Sequence, residues 1–462
     1  MENTPGRSSE PGFIYRAQSK GSPKNRSRFL SQLTSWPGSI LLITVGGVLI
    51  ISRSIQAVFH PYFWAESGAI FYANAWNHGL RVLLSPFAGY PVLLPRLASE
   101  LAVQFPLTVG PWIFMLVSLI IQVAPLALIF SPRFANKTVS PITKIVLAAV
   151  YVALPNSYEV NMHMISAQWQ LAVIAFLILI SAPPSKTSEK VFDIAGLVLA
   201  GLTGPFTVLL FPVALIFYLT KRNSNNALRL AIISACTLTD GLIYLLTHAY
   251  SRSGNAPLGA GLMLLIRILG GQIVLGTLAG MRGYAEILQH SWADPLSIAA
   301  GIAYLIVTIY VLFRARLEVR LFQLFALLVL TASLITPKIS LHQPQWPLMV
   351  QAGAGNRYFY LPLLAFMVSS IWLLSHSYSQ LKRRRGSKQD QTKRFSYSVV
   401  FLVFTVGFAV LVVVGVPKDW RYPTYKISPL ARYQSALTSK SDRKTITIPI
   451  VPAGISMVLN RR

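Results

Sequence analysis

Long apolar runs recur along the whole chain and leave it little choice of architecture. The clearest lie at about 37–57, 110–130, 141–155, 167–182, 296–313, 320–336, 357–375 and 395–415, and 227–247 reads as a further run despite Asp240. A helix needs roughly 20 apolar residues to cross a bilayer, and somewhat fewer beside polar cavities. Of the 462 residues 53% are hydrophobic and only 12% charged, where a soluble domain carries about a quarter charged. The expected fold class is an all-α, polytopic membrane protein with about 11 transmembrane helices. That excludes most soluble enzyme folds.

Two stretches interrupt the pattern. Residues 191–219 are too long for one straight span and contain Gly201-Leu202-Thr203-Gly204-Pro205, while 258–281 contains Arg267, Gly270 and Gly271. Either 191–203 and 206–219 are a pair of short helices and 258–281 lies at or re-enters the outer face, or 191–219 is one tilted helix and 258–281 spans. The first reading puts Lys221, Arg222 and Arg229 inside and is preferred. A broken helix at membrane depth is tolerated only where it is buried in protein or lines a cavity.

Charge sets the orientation. The chain has 41 Lys+Arg against 14 Asp+Glu, a net charge of +27. Segments 1–36, 131–144, 183–190, 221–229, 314–320 and 376–394 hold 24 of the basic residues, and cytoplasmic loops carry the Lys/Arg excess. The expected topology is N-inside and C-outside. It divides the chain into a disordered basic cytoplasmic tail (1–36), a transmembrane domain (37–415) with an outer loop at 58–109, and an outer-face C-terminal tail (416–462). Polar residues precede the first run and no small-residue cleavage site follows it, so it reads as a retained span and not as a signal peptide. Lys382-Arg383-Arg384-Arg385 is a topology determinant on this reading, and no nucleic-acid partner is expected. The one cysteine, Cys236, excludes an intramolecular disulfide framework and a multi-Cys zinc site. There is no Gly-rich Lys-Ser/Thr loop, no His-Glu-x-x-His and no Gly-x-Ser-x-Gly.

With so few acids, their placement is informative. The first outer loop opens His60-Pro61-Tyr62-Phe63-Trp64-Ala65-Glu66-Ser67-Gly68. Trp64, Gly68, Phe71, Tyr72 and Ala75 follow helical spacing, which predicts a short amphipathic helix in the membrane interface. Glu66 at its start either caps the helix or serves as a general base at the bilayer surface. Further along this loop, Tyr90 and Arg96 are candidates for binding substrate, although Arg96 also stands four residues before Glu100 and pairs with it on one helix face as the simpler reading. The second outer loop holds Glu159 and His163, which share a face if helical. A local hydrogen bond, assistance to proton transfer or metal ligation are open to this pair; two ligands alone do not make a metal site, so none is assigned. Late in the chain Asn356-Arg357-Tyr358-Phe359-Tyr360-Leu361-Pro362 enters a span. An arginine fork at headgroup level matches phosphate oxygens, or it snorkels to ordinary lipid. Tyr358 and Tyr360 offer hydroxyls or belong to the aromatic belt. Asp240 in a span is a functional candidate by default, or a protonated carboxyl bonded to a neighbouring helix. Arg267 is placed to pair with an acid or a phosphate.

This order resembles the bacterial integral-membrane glycosyltransferases of the GT-C fold: one span, a long outer loop with an acid in Phe63-Trp64-Ala65-Glu66-Ser67-Gly68, about ten further spans, and the Asn356–Pro362 motif. The resemblance covers roughly 36–415, mostly as a layout. It implies a polyprenyl-phosphate-linked sugar donor, a glycan or lipid acceptor, and transfer at the outer face of a bacterial inner membrane. Glu66 would be the base, Arg357 a phosphate ligand, and Glu159 or His163 a helper from the second loop. Family members often carry aspartate or two adjacent acids in the first loop. Here a lone Glu is followed by Ser67, which argues against a metal bridged by paired carboxylates, so no cofactor is expected. The rival readings are a lipid or polysaccharide transporter with Asp240 and Arg267 on its pathway, a polysaccharide polymerase, and an inactive membrane scaffold.

Overall fold

The computed structural model describes residues 36–134, 139–247, 256–383, 391–439 and 444–461. The expected N-terminal tail up to residue 35, together with Arg384 and Arg385 of the basic run, lies outside the described residues. The chain is mostly helical: α1 Trp36–Arg53, α2 Leu93–Ala102, α3 Gly110–Phe130, α4 Pro141–Ala153, α5 Ala167–Ile180, α6 Thr187–Gly201, α7 Phe206–Thr220 and α8 Ser224–Thr247. There follow α9 Leu262–Ile287, α10 Ala293–Arg314, α11 Leu317–Ile335, α12 Tyr360–Arg383, α13 Gln391–Asp419 and α14 Leu430–Thr438.

Among the described residues eight helices are long and apolar enough to cross a membrane: α1, α3, α8, α9, α10, α11, α12 with its lead-in turn, and α13. The apolar helices α4, α5 and α7 are shorter. Leu41, Ile306 and Val413 stay 57, 63 and 73% exposed on α1, α10 and α13. Apolar stripes of that extent are unfavourable in water and natural against lipid. This is the pattern of an integral, multi-pass membrane protein.

The 191–219 stretch is two helices, α6 and α7. The backbone groups freed between them are met by the segment at 91–94. Leu202 O accepts from Leu93 N at 2.7 Å, Gly204 N donates to Pro91 O at 3.0 Å, and the Thr203 hydroxyl accepts from Leu94 N at 3.1 Å. The break is thus satisfied by protein, as membrane depth requires. Helices α9 and α10 cross with their backbones in contact. A Cβ on Gly270 would lie 1.8 Å from Ser297 O, and one on Gly301 would lie 2.1 Å from Ile266 O. Only small residues permit such an approach.

The two ends of the helix bundle are tied differently. At one end the buried carboxylate of Asp193 on α6 takes both Arg133 nitrogens, at 2.8 and 2.6 Å, and Arg229 Nη2 at 2.9 Å. Arg133 and Arg229 spend further N–H groups on the Ala182 and Ser181 carbonyls. At the other end Arg53, the last residue of α1, is buried and donates to Val152 O at 2.5 Å and Leu154 O at 2.9 Å. These carbonyls end α4 and lack intrahelical partners, so a guanidinium there satisfies them and complements the helix dipole. The buried Asp419 carboxylate accepts from the backbone N–H groups of Asn156 at 2.8 Å, Met281 at 2.5 Å and Arg282 at 3.2 Å.

The C-terminal segment departs from an all-α fold. β1 Thr445–Pro449 and β2 Ser456–Asn460 pair antiparallel, Ile448 opposite Met457 and Ile446 opposite Leu459. Ile448, Met457 and Leu459 are fully buried; this period-two burial is what a strand with one covered face requires. The hairpin docks on the segment at 63–77. Ala65 N donates to Val451 O at 2.5 Å and Val451 N to Phe63 O at 3.3 Å. Trp76 Nε1 donates to Asn460 O at 2.8 Å. That docking corrects the expected interfacial helix. Trp64 precedes the helical segment, which is a π-turn at Ser67–Tyr72 followed by a helix at Ala73–His78. Phe71, Tyr72 and Ala75 are buried under protein and do not face headgroups.

Replacing Asp419 with Ala leaves three backbone N–H groups without their acceptor. A buried donor left unpaired costs about 1–3 kcal/mol. A thermal-unfolding series in detergent is expected to show a loss of that order for Asp419→Ala, with the tail more open to limited proteolysis than in the parent.

Candidate functional site

Four of the sequence candidates, Glu159, His163, Arg357 and Tyr358, meet at the end of the bundle that carries the segments 58–109 and 154–166. Arg357 sits in a single 3-10 turn, Asn356–Phe359, just before α12. Gly355 before it is left-handed, with φ +61°. Arg357 Nη1 donates to Glu159 Oε2 at 3.1 Å and its backbone N to the same oxygen at 3.4 Å. Nη2 donates to Lys338 O at 2.8 Å and to the Tyr358 hydroxyl at 3.2 Å, and the guanidinium lies 4.7 Å from the Tyr358 ring centroid. The Glu159 and Arg357 side chains remain 19 and 32% exposed. An ion pair so placed contributes about 1 kcal/mol or less to stability. Its consequence is orientation: the guanidinium is held toward the loop cluster.

Glu66 reaches this cluster electrostatically, since its carboxylate acts on Arg357 together with those of Glu159 and the Tyr358 phenol. It occupies the position before the Ser67–Tyr72 turn, yet its side chain makes no capping hydrogen bond there. Ala65 just ahead of it has φ +41°. Asn156 and Met162, flanking Glu159 in the second loop, have φ +52° and +61°. Non-glycine residues rarely adopt such backbone, and clusters of them mark places where surrounding structure fixes a loop against local preference.

His163 joins the two loops. Its ring stacks on Trp64 with centroids 4.0 Å apart and 10° between planes. Nδ1 lies 3.2 Å from the Glu159 carbonyl oxygen and Nε2 lies 3.5 Å from the Tyr62 hydroxyl. A carbonyl only accepts, so Nδ1 carries the proton and Nε2 presents its lone pair toward Tyr62. Burial pushes the imidazole down from 6.5 to about 4. Glu159 and His163 do not share a helical face: Tyr158–Val160 is one 3-10 turn and Asn161 is extended. The carboxylate turns to Arg357 while the ring turns to Trp64. Among the described residues no group of three or more His, Cys, Asp or Glu is placed to hold a metal.

The remaining candidates lie apart from this cluster. Tyr358 belongs to it, but Tyr360 is fully buried and bonds to Tyr151. Tyr90 closes a tight turn with Phe87 through reciprocal backbone bonds of 2.9 and 3.3 Å. Arg96 is buried in α2, with its guanidinium 5.3 Å from the Phe71 ring. Burial pushes Arg96 down while Glu100 pushes it up, and the same pair raises Glu100 through burial and lowers it through Arg96. Asp240 accepts from the Thr207 hydroxyl at 3.2 Å, and Arg267 pairs with Asp294.

The tail supplies site residues that the sequence did not mark as such. Tyr425 packs edge-on against Tyr62 and Trp64, with centroids 5.8 and 5.1 Å away. Tyr422 lies under Arg53 at 4.6 Å, and its hydroxyl accepts from Asn161 Nδ2 at 2.5 Å. The aromatic group Trp420-Arg421-Tyr422-Pro423 was the available signal, though nothing local says which loop it meets. Compared with known proteins, the chain matches no family model, no curated protein and no solved structure.

His163 gives a pH test. Its folded pKa lies below the unfolded value, so its contribution is complete above pH 6.5 and is lost as pH falls toward 4. A shift of that size corresponds to about 3 kcal/mol. His163→Phe keeps the stack on Trp64 and removes the titration. The melting temperature is expected to fall more steeply between pH 6.5 and 4 in the parent than in the variant; parallel curves would contradict the buried neutral imidazole.

Proposed function

We propose that the chain is a GT-C-like membrane glycosyltransferase that moves a sugar from a polyprenyl-phosphate donor to a glycan or lipid acceptor at the outer face of a bacterial inner membrane. The observation that carries this reading is the ion pair between Glu159 and Arg357, brought together from remote segments, with the charge of Glu66 acting on the same guanidinium. In the transfer, an acceptor hydroxyl oxygen attacks the anomeric carbon while the bond from that carbon to the phosphate oxygen breaks. Glu66 takes the hydroxyl proton. The polyprenyl phosphate leaves with the bonding electron pair, and the positive charge of Arg357 offsets the charge that develops on it. Glu159 aims Arg357, and the neutral His163 holds the second loop against Trp64. One displacement of this kind inverts the anomeric centre.

The architecture goes with this reading. Glu159 and Arg357 touch, so an even number of crossings separates them, yet seven helices, α5 to α11, lie between. Either α6 and α7 make one crossing between them or one of the seven does not cross, and we place α9 on the outer face. Arg267 near its start pairs with Asp294 at the start of α10, Gln272 in its middle donates to Met349 O and Gln351 O at 2.7 and 2.6 Å, and Tyr284 near its end donates to Val350 O at 2.9 Å. All of it follows the loop that leads to Arg357. With α9 on the outer face, the other helices from α1 to α13 except α2 make 11 crossings, N-inside and C-outside. The lysines and arginines then fall where the inside rule wants them.

Two experiments test these statements. In a variant lacking Cys236, His290→Cys should react with a membrane-impermeant maleimide added to intact cells; labelling only after permeabilisation would mean that α9 crosses. With purified protein and a polyprenyl-phosphate sugar, Glu66→Gln is expected to lower transfer by about 10²–10⁴-fold while the protein stays folded. Arg357→Lys, which keeps the charge but loses the fork, should also be slow. Transfer by Glu66→Gln at the parent rate would sink the reading.

A further inference from the structure

Beside the Glu159–Arg357 cluster lies a cavity of about 360 Å³. It is walled by the end of α1 and the segment after it, by the second loop at Tyr158, Asn161 and His163, and by a strap of the tail at 421–425. Its volume falls at the low end of the roughly 300–1,000 Å³ of small-molecule sites. Rings and polar groups alternate on the walls: Tyr62, Tyr158, Tyr422 and Tyr425 stand among Gln56 and Asn161. No carboxylate lines it; of its two arginines, Arg53 spends its guanidinium on the carbonyls of Val152 and Leu154, and Arg421 is exposed to solvent. Such walls suit an uncharged ring with apolar C–H faces and a hydroxyl rim, because a tyrosine offers a flat apolar face and a polar tip together. Burial raises Tyr62, Tyr158 and Tyr425 above the usual phenol value, so each remains a neutral donor.

We propose that this cavity binds a neutral sugar ring of the acceptor, with the C-terminal strap as one wall. The proposal rests on the glycosyltransferase reading for the word acceptor, and on the cavity alone for the sugar. His163 lies on the same wall with Nε2 toward Tyr62, which puts the cavity next to the turn that carries Glu159. The strap is held by its backbone: Gln56 Nε2 donates to Tyr425 O at 2.6 Å and Tyr425 N donates to Gln56 Oε1 at 2.7 Å. Truncating the Tyr425 ring therefore removes a wall without releasing the strap.

The test is saturation-transfer NMR on the full chain in nanodiscs, with a panel of neutral methyl glycosides at millimolar concentration. At least one glycoside should receive saturation from the parent protein. Tyr425→Ala, which opens the wall, and Thr424→Trp, which fills the cavity from an exposed lining position, should each bind it roughly tenfold more weakly with an unchanged melting temperature. No transfer to any glycoside, or equal transfer in the parent and both cavity variants, overturns the proposal. Sugar binding that depends on the cavity, in a parent that turns over no lipid-phosphate sugar, would overturn the transferase reading and leave the sugar site standing.

Discussion

One buried carboxylate organises the end of the molecule where the candidate site lies. Asp419 accepts N–H groups from Asn156, Met281 and Arg282, and so joins the end of α13, the start of the second loop and the bend of α9. That bend is at Gly280, whose φ of +76° no helical residue adopts and where a Cβ would meet Asp419. Arg53 lies alongside, over the Trp420 and Tyr422 rings, and donates to the Asp419 carbonyl at 3.4 Å. Backbone N–H groups left bare in such a place would each cost about 1–3 kcal/mol. The carboxylate meets three of them and in doing so sets where Asn156, and hence Glu159 and His163, can be.

The opposite end uses the same chemistry for a different end. Asp193 with Arg133 and Arg229 locks α6, α8 and the chain after α3 into one cluster. Every nitrogen there that matters has a carboxylate or carbonyl partner, so the cluster is a tie and offers nothing to a ligand. Around Arg357 the pair is half open, the backbone is in unusual conformations and a cavity lies next door. The contrast between a saturated ionic knot and an open ionic pair is the physical reason for placing function at one end only.

How much of this could be read beforehand differs from residue to residue. The apolar runs and basic loops are local properties of the sequence, so the helices and the break at 201–205 were legible. Glu66, Glu159 and Arg357 stood out because acids are rare and because Arg357 precedes a span, but the contact between Glu159 and Arg357 is a fact of packing that no spacing encodes. The four-residue separation of Glu159 and His163 yields a local hydrogen bond, from His163 Nδ1 to the Glu159 carbonyl, but not a shared helical face, because Met162 sits at positive φ. The stripe through Phe71, Tyr72 and Ala75 was read as membrane-facing because amphipathic periodicity does not say what covers the apolar side. What covers it is the hairpin of 445–460 and its neighbours, hundreds of residues later. Asp419 and Tyr425 had no local mark of their role, for the same reason, and the aromatic group around Tyr422 did not say which loop it meets.

The account stands on the claim that a lipid phosphate is held by Arg357 with its sugar facing Glu66. A structure with a non-hydrolysable polyprenyl phosphonate sugar bound would test it most directly. The account predicts phosphonate oxygens on the Arg357 guanidinium and the anomeric carbon near enough to Glu66 for one hydroxyl to lie between them. A phosphonate bound away from Arg357, or an anomeric carbon turned from Glu66, would contradict it.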